Sequence, residues 1–150
     1  VIAGEGDDFQ KYRDLIGDSP LFEVHNRWIS DEERAEMFRR SSVVVLPYTE
    51  ATQSAVVPVA YNFSRPVVGT RVGALAECID DGTTGFLVPP RDPESLAAAI
   101  VQILENDSLR LKMGMAGKQK LIRECSPEVV AQTTLRVYSD AIAKPHVEVQ

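Results

Sequence analysis

The 150-residue sequence predicts an α/β fold: a Rossmann-like, doubly wound parallel sheet with helices on both faces. Two observations lead to this prediction. Short apolar runs alternate along the chain with segments of helical periodicity, as strand–helix–strand crossovers require. The run Val43–Leu46 is also continuously apolar, which is typical of a central parallel strand buried on both faces. In such sheets, ligands bind at the carboxyl ends of the strands.

The first part of the chain is predicted to hold two strand–helix pairs. A short apolar run opens it, and a helical repeat follows that stops at Gly17. Ser30 and Glu33 have the spacing of a capping box, in which each side chain accepts from the backbone of the other residue. The predicted elements are a strand at residues 1–3, a helix at 9–16, a strand at 21–24 and a helix from 31 to about 40.

The middle of the chain is predicted to supply three more strands. Pro47 ends the apolar run before it. Pro58 restricts the next helix, because proline is tolerated only in a first turn, so this helix can hardly begin before Gln53 or Ser54. The predicted elements are a strand at residues 43–46, a helix at 55–63, a strand at 66–69, a short helix at 72–79 and a strand at 85–88.

The remainder is predicted to be helical. Asp92 has the position of a helix cap with Pro93 in the first turn, and Ser126 with Pro127 repeats that signal. A further helix follows Asp107. We expect the first of these helices to bury one apolar stripe, and the tail 144–150 to be loose. The stripe consists of Leu96, Ile100, Ile103 and Leu104.

The composition disfavours several classes of protein. Apolar residues make up 44% and charged residues 25%, which is ordinary for a soluble globular domain. The 16 basic and 22 acidic residues give a net charge of −6, which argues against broad nucleic-acid binding. No apolar run approaches the roughly 20 residues that a membrane span needs. Cys78 and Cys125 are expected to be buried, reduced thiols, and no metal-ligand spacing is visible.

The loop at residues 47–55 is the most informative candidate site. We expect Thr52, Gln53 and Ser54 at a helix N-terminus, where free N–H groups and the helix dipole can hold a phosphate or diphosphate. The alternative is that Ser54 only caps the helix. Glu50, the one acid in the loop, either accepts hydrogen bonds from sugar hydroxyls or is a solvated carboxylate.

Three further loops follow predicted strands. Gly4 and Gly6 let the backbone turn tightly near a ligand, although a third glycine at fingerprint spacing is lacking. The segment Arg27–Ile29 offers a flat base an apolar shelf, with packing or interface surface as the alternative for Trp28. The loop around Gly73 can approach a ligand through backbone amides.

Taken together, these segments resemble the donor-site region of glycosyltransferase family 4. The similarity runs in order through VVVLPY, EATQS, AYNFSRPVVGT, VGALAE and DGTTGFLVPPRD, and continues into the alanine-rich helix that follows. The resemblance implies the C-terminal half of a GT-B enzyme, which binds a UDP- or GDP-sugar while the other half binds the acceptor. It also implies transfer with retention at the anomeric carbon, without metal or other cofactor. By resemblance, Glu50 is the catalytic candidate, and the donor-binding candidates are Thr52, Gln53, Ser54, Ala55, Gly4, Gly6, Arg27, Trp28, Ile29 and Gly73.

The sequence departs from the family pattern at several positions. Residues 52–54 replace the usual Gly-Phe-Gly turn, Glu50 stands one place early, and Val59 falls where a ribose-binding glutamate is usual. The chain also begins after the family's first strand, Gly-Arg loop and downstream lysine. We therefore expect a partial donor domain at residues 1–143, without its first strand–helix unit, that is inactive as an isolated chain.

Other functions stay open at this point. A degenerate GT-B module could act in assembly or scaffolding, and an epimerase, a phosphorylase or a Rossmann oxidoreductase are weaker alternatives. The expected partners are the nucleotide-sugar donor and the missing acceptor-binding half, with self-association through the truncated sheet edge and no nucleic acid. The chain starts at Val1 without a leader, and no transmembrane segment is expected. We expect a fragment of a cytoplasmic protein, with peripheral membrane attachment of the parent left open.

Overall fold

The computed structural model describes residues 1–6 and 9–143, so the predicted tail 144–150 lies outside the described residues. The described chain forms two compact units, Val1–Ser41 and a second that begins at Ser42. Each unit contains a parallel sheet with helices, which confirms the α/β class. The strands form separate sheets of two and three strands, where the sequence predicts one.

The first unit contains a two-stranded sheet. The strands pair in parallel, Ile2 with Val24 and Ala3 with His25. The predicted strand at 21–24 is wrong in its bounds, because the partner strand offers only two positions and the amide of Phe22 closes a turn onto Ser19 O at 3.3 Å. The elements are β1 (Ile2–Ala3), α1 (Gln10–Ile16), β2 (Val24–His25) and α2 (Asp31–Arg40).

The capping box at the start of α2 is confirmed. The Glu33 amide donates to Ser30 Oγ at 3.2 Å, and the Ser30 amide donates to the Glu33 carboxylate at 3.1 Å. The same carboxylate accepts two hydrogen bonds from Arg27, at 2.5 and 3.0 Å. Hydrogen bonding from Arg27 and from the Ser30 amide lowers the pKa of Glu33 to about 2.

Acid should therefore weaken the start of α2. The stabilisation from Glu33 is complete above its ordinary pKa of 4.5 and is lost as the pH falls toward 2. We expect Ser30→Ala to lower the free energy of unfolding by about 1 kcal/mol at pH 7. We also expect Glu33→Gln to make thermal unfolding less dependent on pH between about pH 5 and pH 2. This is roughly the range between the ordinary and the lowered pKa of Glu33. Glu32→Gln, in the same turn, is the control, and equal pH profiles for both variants would contradict the assignment.

The second unit contains a three-stranded parallel sheet in the order β3-β4-β5. The central strand is buried along its whole length. The next helix begins at Val56, which places Pro58 in its first turn as predicted. The strands are β3 (Val44–Leu46), β4 (Val67–Thr70) and β5 (Gly85–Val88), and the helices are α3 (Val56–Asn62), α4 (Leu75–Cys78), α5 (Pro93–Leu104), α6 (Asp107–Cys125) and α7 (Pro127–Ala143).

The core of the second unit lies where α5 and α6 cover the sheet. Ile103 is fully buried, whereas Leu104 is 45% exposed, so the predicted stripe is wrong at Leu104. Adjacent helical residues point about 100° apart, and burial of Ile103 therefore turns Leu104 away from the sheet. The buried cluster consists of Val68, Val88, Ala99, Ile103 and Met113, and Leu96 and Ile100 pack against it.

Two glycines bring α6 close to α3. A Cβ at Gly117 would overlap the ring of Tyr61, and a Cβ at Gly114 would overlap the Ser64 carbonyl. The Tyr61 hydroxyl lies 2.6 Å from Thr84 Oγ1, and burial raises the pKa of Tyr61 to about 12. This phenol therefore stays protonated at neutral pH and joins α3 to the turn before β5.

The two cysteines differ in burial. Cys78 is half-buried at the end of α4, while Cys125 is exposed at the end of α6, so the prediction of a buried thiol is wrong for Cys125. The difference arises because Cys125 is the last residue of α6, at a position that faces solvent. Both thiols are free.

The outer edge of β5 is covered by the preceding turn. The amide of Leu87 donates to Asp81 Oδ1 at 2.9 Å, and the amide of Gly82 donates to the carbonyl of Gly85 at 2.8 Å. Arg71 holds the other oxygen of Asp81 at 2.9 Å. At the opposite side of the sheet, β3 pairs only with β4 among the described strands.

Candidate functional site

The β3–α3 loop (residues 47–55) follows the carboxyl end of β3, as predicted. It borders a shallow depression of about 580 Å³. Within the described chain, the amides of residues 52–55 donate to no protein group, and Thr52 and Gln53 are exposed. The depression is lined by Tyr48, Glu50, Ala51, Thr52 and Gln53.

Ser54 makes a local bond at the start of α3. Its hydroxyl accepts from the Val56 amide at 3.3 Å, while the N-cap residue Ala55 makes no side-chain cap. This bond is a local turn one residue ahead of the N-cap, so Ser54 is not the helix cap that the alternative expects. A role of Ser54 toward a ligand stays a prediction.

Glu50 and Gly73 lie at the same loop. The Glu50 side chain is exposed and has no hydrogen bond or ion pair with the part of the chain that the structure describes. Gly73 has φ +44°, and a Cβ at this position would overlap the carbonyl of Ala51. The structure thus brings the predicted residues of the second unit together, with Gly73 directly under the loop.

Thr70 is a site residue that the sequence reasoning missed. It closes β4, is 3% exposed, and its hydroxyl donates to the carbonyl of Tyr48 at 2.5 Å. The carbonyl of Leu46 lies 3.4 Å from the same hydroxyl. The signal in the sequence is a single polar side chain that ends the apolar run Pro66–Gly69.

The predicted residues of the first unit are partly engaged by protein groups. The amide of Gly6 donates to Asn26 Oδ1 at 3.0 Å, and the amide of Gly4 donates to the carbonyl of His25 at 3.1 Å. Gly4 has φ +137° and open space around its Cβ position. Arg27 is paired with Glu33, as described above, and also donates to the carbonyl of Trp28 at 3.0 Å. The Trp28 side chain itself is 78% exposed, and its neighbour Ile29 is half-buried. Their contact with a donor stays a prediction.

A larger depression lies wholly in the first unit. Its volume is about 850 Å³, and Gly6 is the one predicted site residue on its wall. Phe9, Arg13 and Phe22 also line it. Volume alone does not identify a ligand site. The smaller depression is the better candidate, because the unpaired amides lie beside it. Among residues 1–6 and 9–143 there is no group of three or more side chains suited to a metal ion, and no helix there has the length and apolarity to span a bilayer.

Comparison with known families decides the relationship. The family described as "Glycosyl transferases group 1" matches residues 1–106. The chain belongs to the group 1 glycosyl transferases. The predicted resemblance is therefore confirmed over more than two thirds of the chain.

Individual relatives of this glycosyltransferase chain are much longer than it. It is 34% identical over 117 residues to a D-inositol 3-phosphate glycosyltransferase of Corynebacterium kroppenstedtii, covering 77% of this chain and 26% of that protein. The fold matches a sucrose-phosphate synthase from Thermosynechococcus elongatus with TM-score 0.78 and 24% identity, over 95% of this chain and 38% of that one. It also matches Anabaena HepE in complex with UDP-glucose, with TM-score 0.73 and 15% identity, over 89% and 36% of the two chains. The GT-B type of α/β fold is thereby confirmed, and the chain spans about a quarter of the curated relative.

Proposed function

We propose that this chain is the donor-binding portion of a retaining glycosyltransferase, which moves a sugar from a UDP- or GDP-sugar to an acceptor. The observation that carries the proposal is the row of unpaired amides at residues 52–55, beside the exposed Glu50 on one depression. UDP-glucose is the ligand of the structurally similar Anabaena protein, which supports a nucleotide-sugar as the donor.

The diphosphate and the sugar of the donor each have a candidate partner in the second unit. The amides of residues 52–55 suit the diphosphate, because unpaired backbone N–H groups favour anions. Glu50 suits the hydroxyls of the sugar, and the backbone beside Gly73 supports the loop from below.

The isolated chain is proposed to bind donors without turning them over. Departure of the nucleoside diphosphate builds up negative charge, and preorganised positive groups are what lower such a barrier. Residues 47–55 contain no lysine or arginine. The chain spans 26% of its curated relative, and the rest of a longer protein would supply these groups together with the acceptor-binding half.

Donor binding can be tested by calorimetric titration of the chain with UDP and UDP-glucose. We expect weak binding of both by the wild type, and none by Ser54→Trp, because the indole would fill the space over the amides. Ser108→Trp, an exposed serine on α6, is the matched control and should bind as the wild type does.

Two outcomes would contradict the proposal. One is failure of the donor site, seen either as a folded wild type that binds neither ligand or as Ser54→Trp that binds as well as the control. The other concerns inactivity alone: transfer or hydrolysis of UDP-glucose by the 150-residue chain would show that the missing positive groups are not needed.

A non-catalytic module for assembly or scaffolding is the second candidate. Val59, on α3, stands where the family pattern has its second glutamate, and a valine cannot accept a hydrogen bond from ribose. Failure of the folded chain to bind UDP in the titration above would favour this candidate.

A further inference from the structure

The β3–α3 loop is held from outside by a single hydrogen bond. Among the described residues, the Thr70 hydroxyl is the one group outside residues 47–55 that bonds to this loop ahead of α3. The other bond is local, from the Val56 amide to Ser54 Oγ. The position of the loop therefore depends on Thr70 more than on any other polar contact.

The surroundings of Thr70 favour a strong contact. Its side chain is buried, so water does not compete for the hydroxyl, and its acceptors are the carbonyls of Tyr48 and Leu46. A second contact with the loop lies beside it, where Gly73 packs against the carbonyl of Ala51. The last residue of β4 and the turn after it thus contact the loop on both sides of Glu50, at positions 48 and 51.

We propose that Thr70 is a positioning residue for the donor site. Its hydroxyl sets the direction of the Tyr48 carbonyl, and thereby the place of the Glu50 carboxylate and of the amides at residues 52–55. The inference rests on the proposed function and extends it, because Thr70 itself does not line the depression.

The other buried threonine provides a comparison within the same unit. Thr84 Oγ1 lies 2.6 Å from the Tyr61 hydroxyl and accepts from the Asp80 amide at 2.9 Å. It makes no bond to residues 47–55 in the described chain. Loss of the Thr84 hydroxyl therefore tests the general cost of a buried polar defect, while loss of the Thr70 hydroxyl tests the loop.

The experiment compares Thr70→Val, Thr70→Ser and Thr84→Val with the wild type. Valine keeps the shape of threonine without a donor, and serine keeps the donor. Calorimetry measures UDP affinity, ¹⁵N order parameters measure the mobility of residues 49–54, and thermal unfolding measures stability. We expect Thr70→Val to bind UDP about fivefold more weakly, with lower order parameters in the loop. Thr70→Ser should restore both, and Thr84→Val should lower the unfolding temperature with UDP affinity unchanged.

The outcomes distinguish failure of the proposed function from failure of the positioning role of Thr70. If the folded wild type binds no UDP, the proposed function fails and the positioning role fails with it. If the wild type binds and Thr70→Val binds equally well, only the positioning role is overturned. The same holds if Thr84→Val weakens UDP binding as much as Thr70→Val does. Should Thr70→Val not fold, Thr70→Cys replaces it under the same criteria, because a thiol is a weak donor of similar size.

Discussion

Replacing Gly73 with alanine is expected to lower the free energy of unfolding by about 3 kcal/mol. Two costs add at this position. The backbone has φ +44°, a conformation that residues other than glycine rarely adopt. The new methyl group would also overlap the carbonyl of Ala51. The Ala51 carbonyl is backbone, and the backbone of residue 73 fixes the position of the methyl group, so neither can rotate away and the β3–α3 loop must shift. Urea denaturation followed by circular dichroism measures the loss of stability, and UDP titration measures the effect on the site.

Gly82→Ala is the matched control for this prediction. Gly82 also has a positive φ, at +74°, but no atom lies within 4 Å of its Cβ position. We expect only the conformational cost there, roughly 1–2 kcal/mol, and unchanged UDP affinity. Equal losses of stability in the two variants would mean that the contact between Gly73 and Ala51 contributes nothing.

Truncation of Ile103 should have an effect of similar size for a different reason. Ile103 is 0% exposed and packs with Val68, Val88 and Met113, so Ile103→Ala leaves a cavity between α5 and the sheet. The expected loss in the free energy of unfolding is about 2–5 kcal/mol, measured by the same urea titration.

The adjacent Leu104 provides the control for the core. Its side chain is 45% exposed, and Leu104→Ala removes the same class of apolar side chain from the end of the same helix. We expect a loss well under about 1 kcal/mol. If Leu104→Ala lowers the free energy of unfolding as much as Ile103→Ala does, Leu104 contributes to the core as much as Ile103, and the assigned core boundary is wrong.

Local sequence signals predicted most of the fold. The capping box at Ser30 was predictable because both partners lie within one turn. The same is true of α5, where Asp92 accepts from the Ser95 amide at 3.0 Å and Pro93 occupies the first turn. The site loop was predictable on equal grounds, since Pro58 restricts where α3 can begin.

Features that depend on distant residues were not predictable. The strand expected at 21–24 is shorter because β1 offers only two partners, and that limit is set about twenty residues away in the chain, as the Ile2–Val24 pair shows. Thr70 and Tyr48 meet across 22 positions, and no local periodicity marks such a contact. The ligand roles of Glu50, of residues 52–55 and of the first-unit candidates remain predictions.

The covered edge of β5 limits which backbone groups of the three-stranded sheet an incoming strand can reach. The Asp81 carboxylate and the Gly82 amide already occupy the Leu87 amide and the Gly85 carbonyl, so an incoming peptide would have to displace them before it could pair with these groups. We therefore expect an intruding segment or a fibril seed to pair poorly with this edge of the sheet.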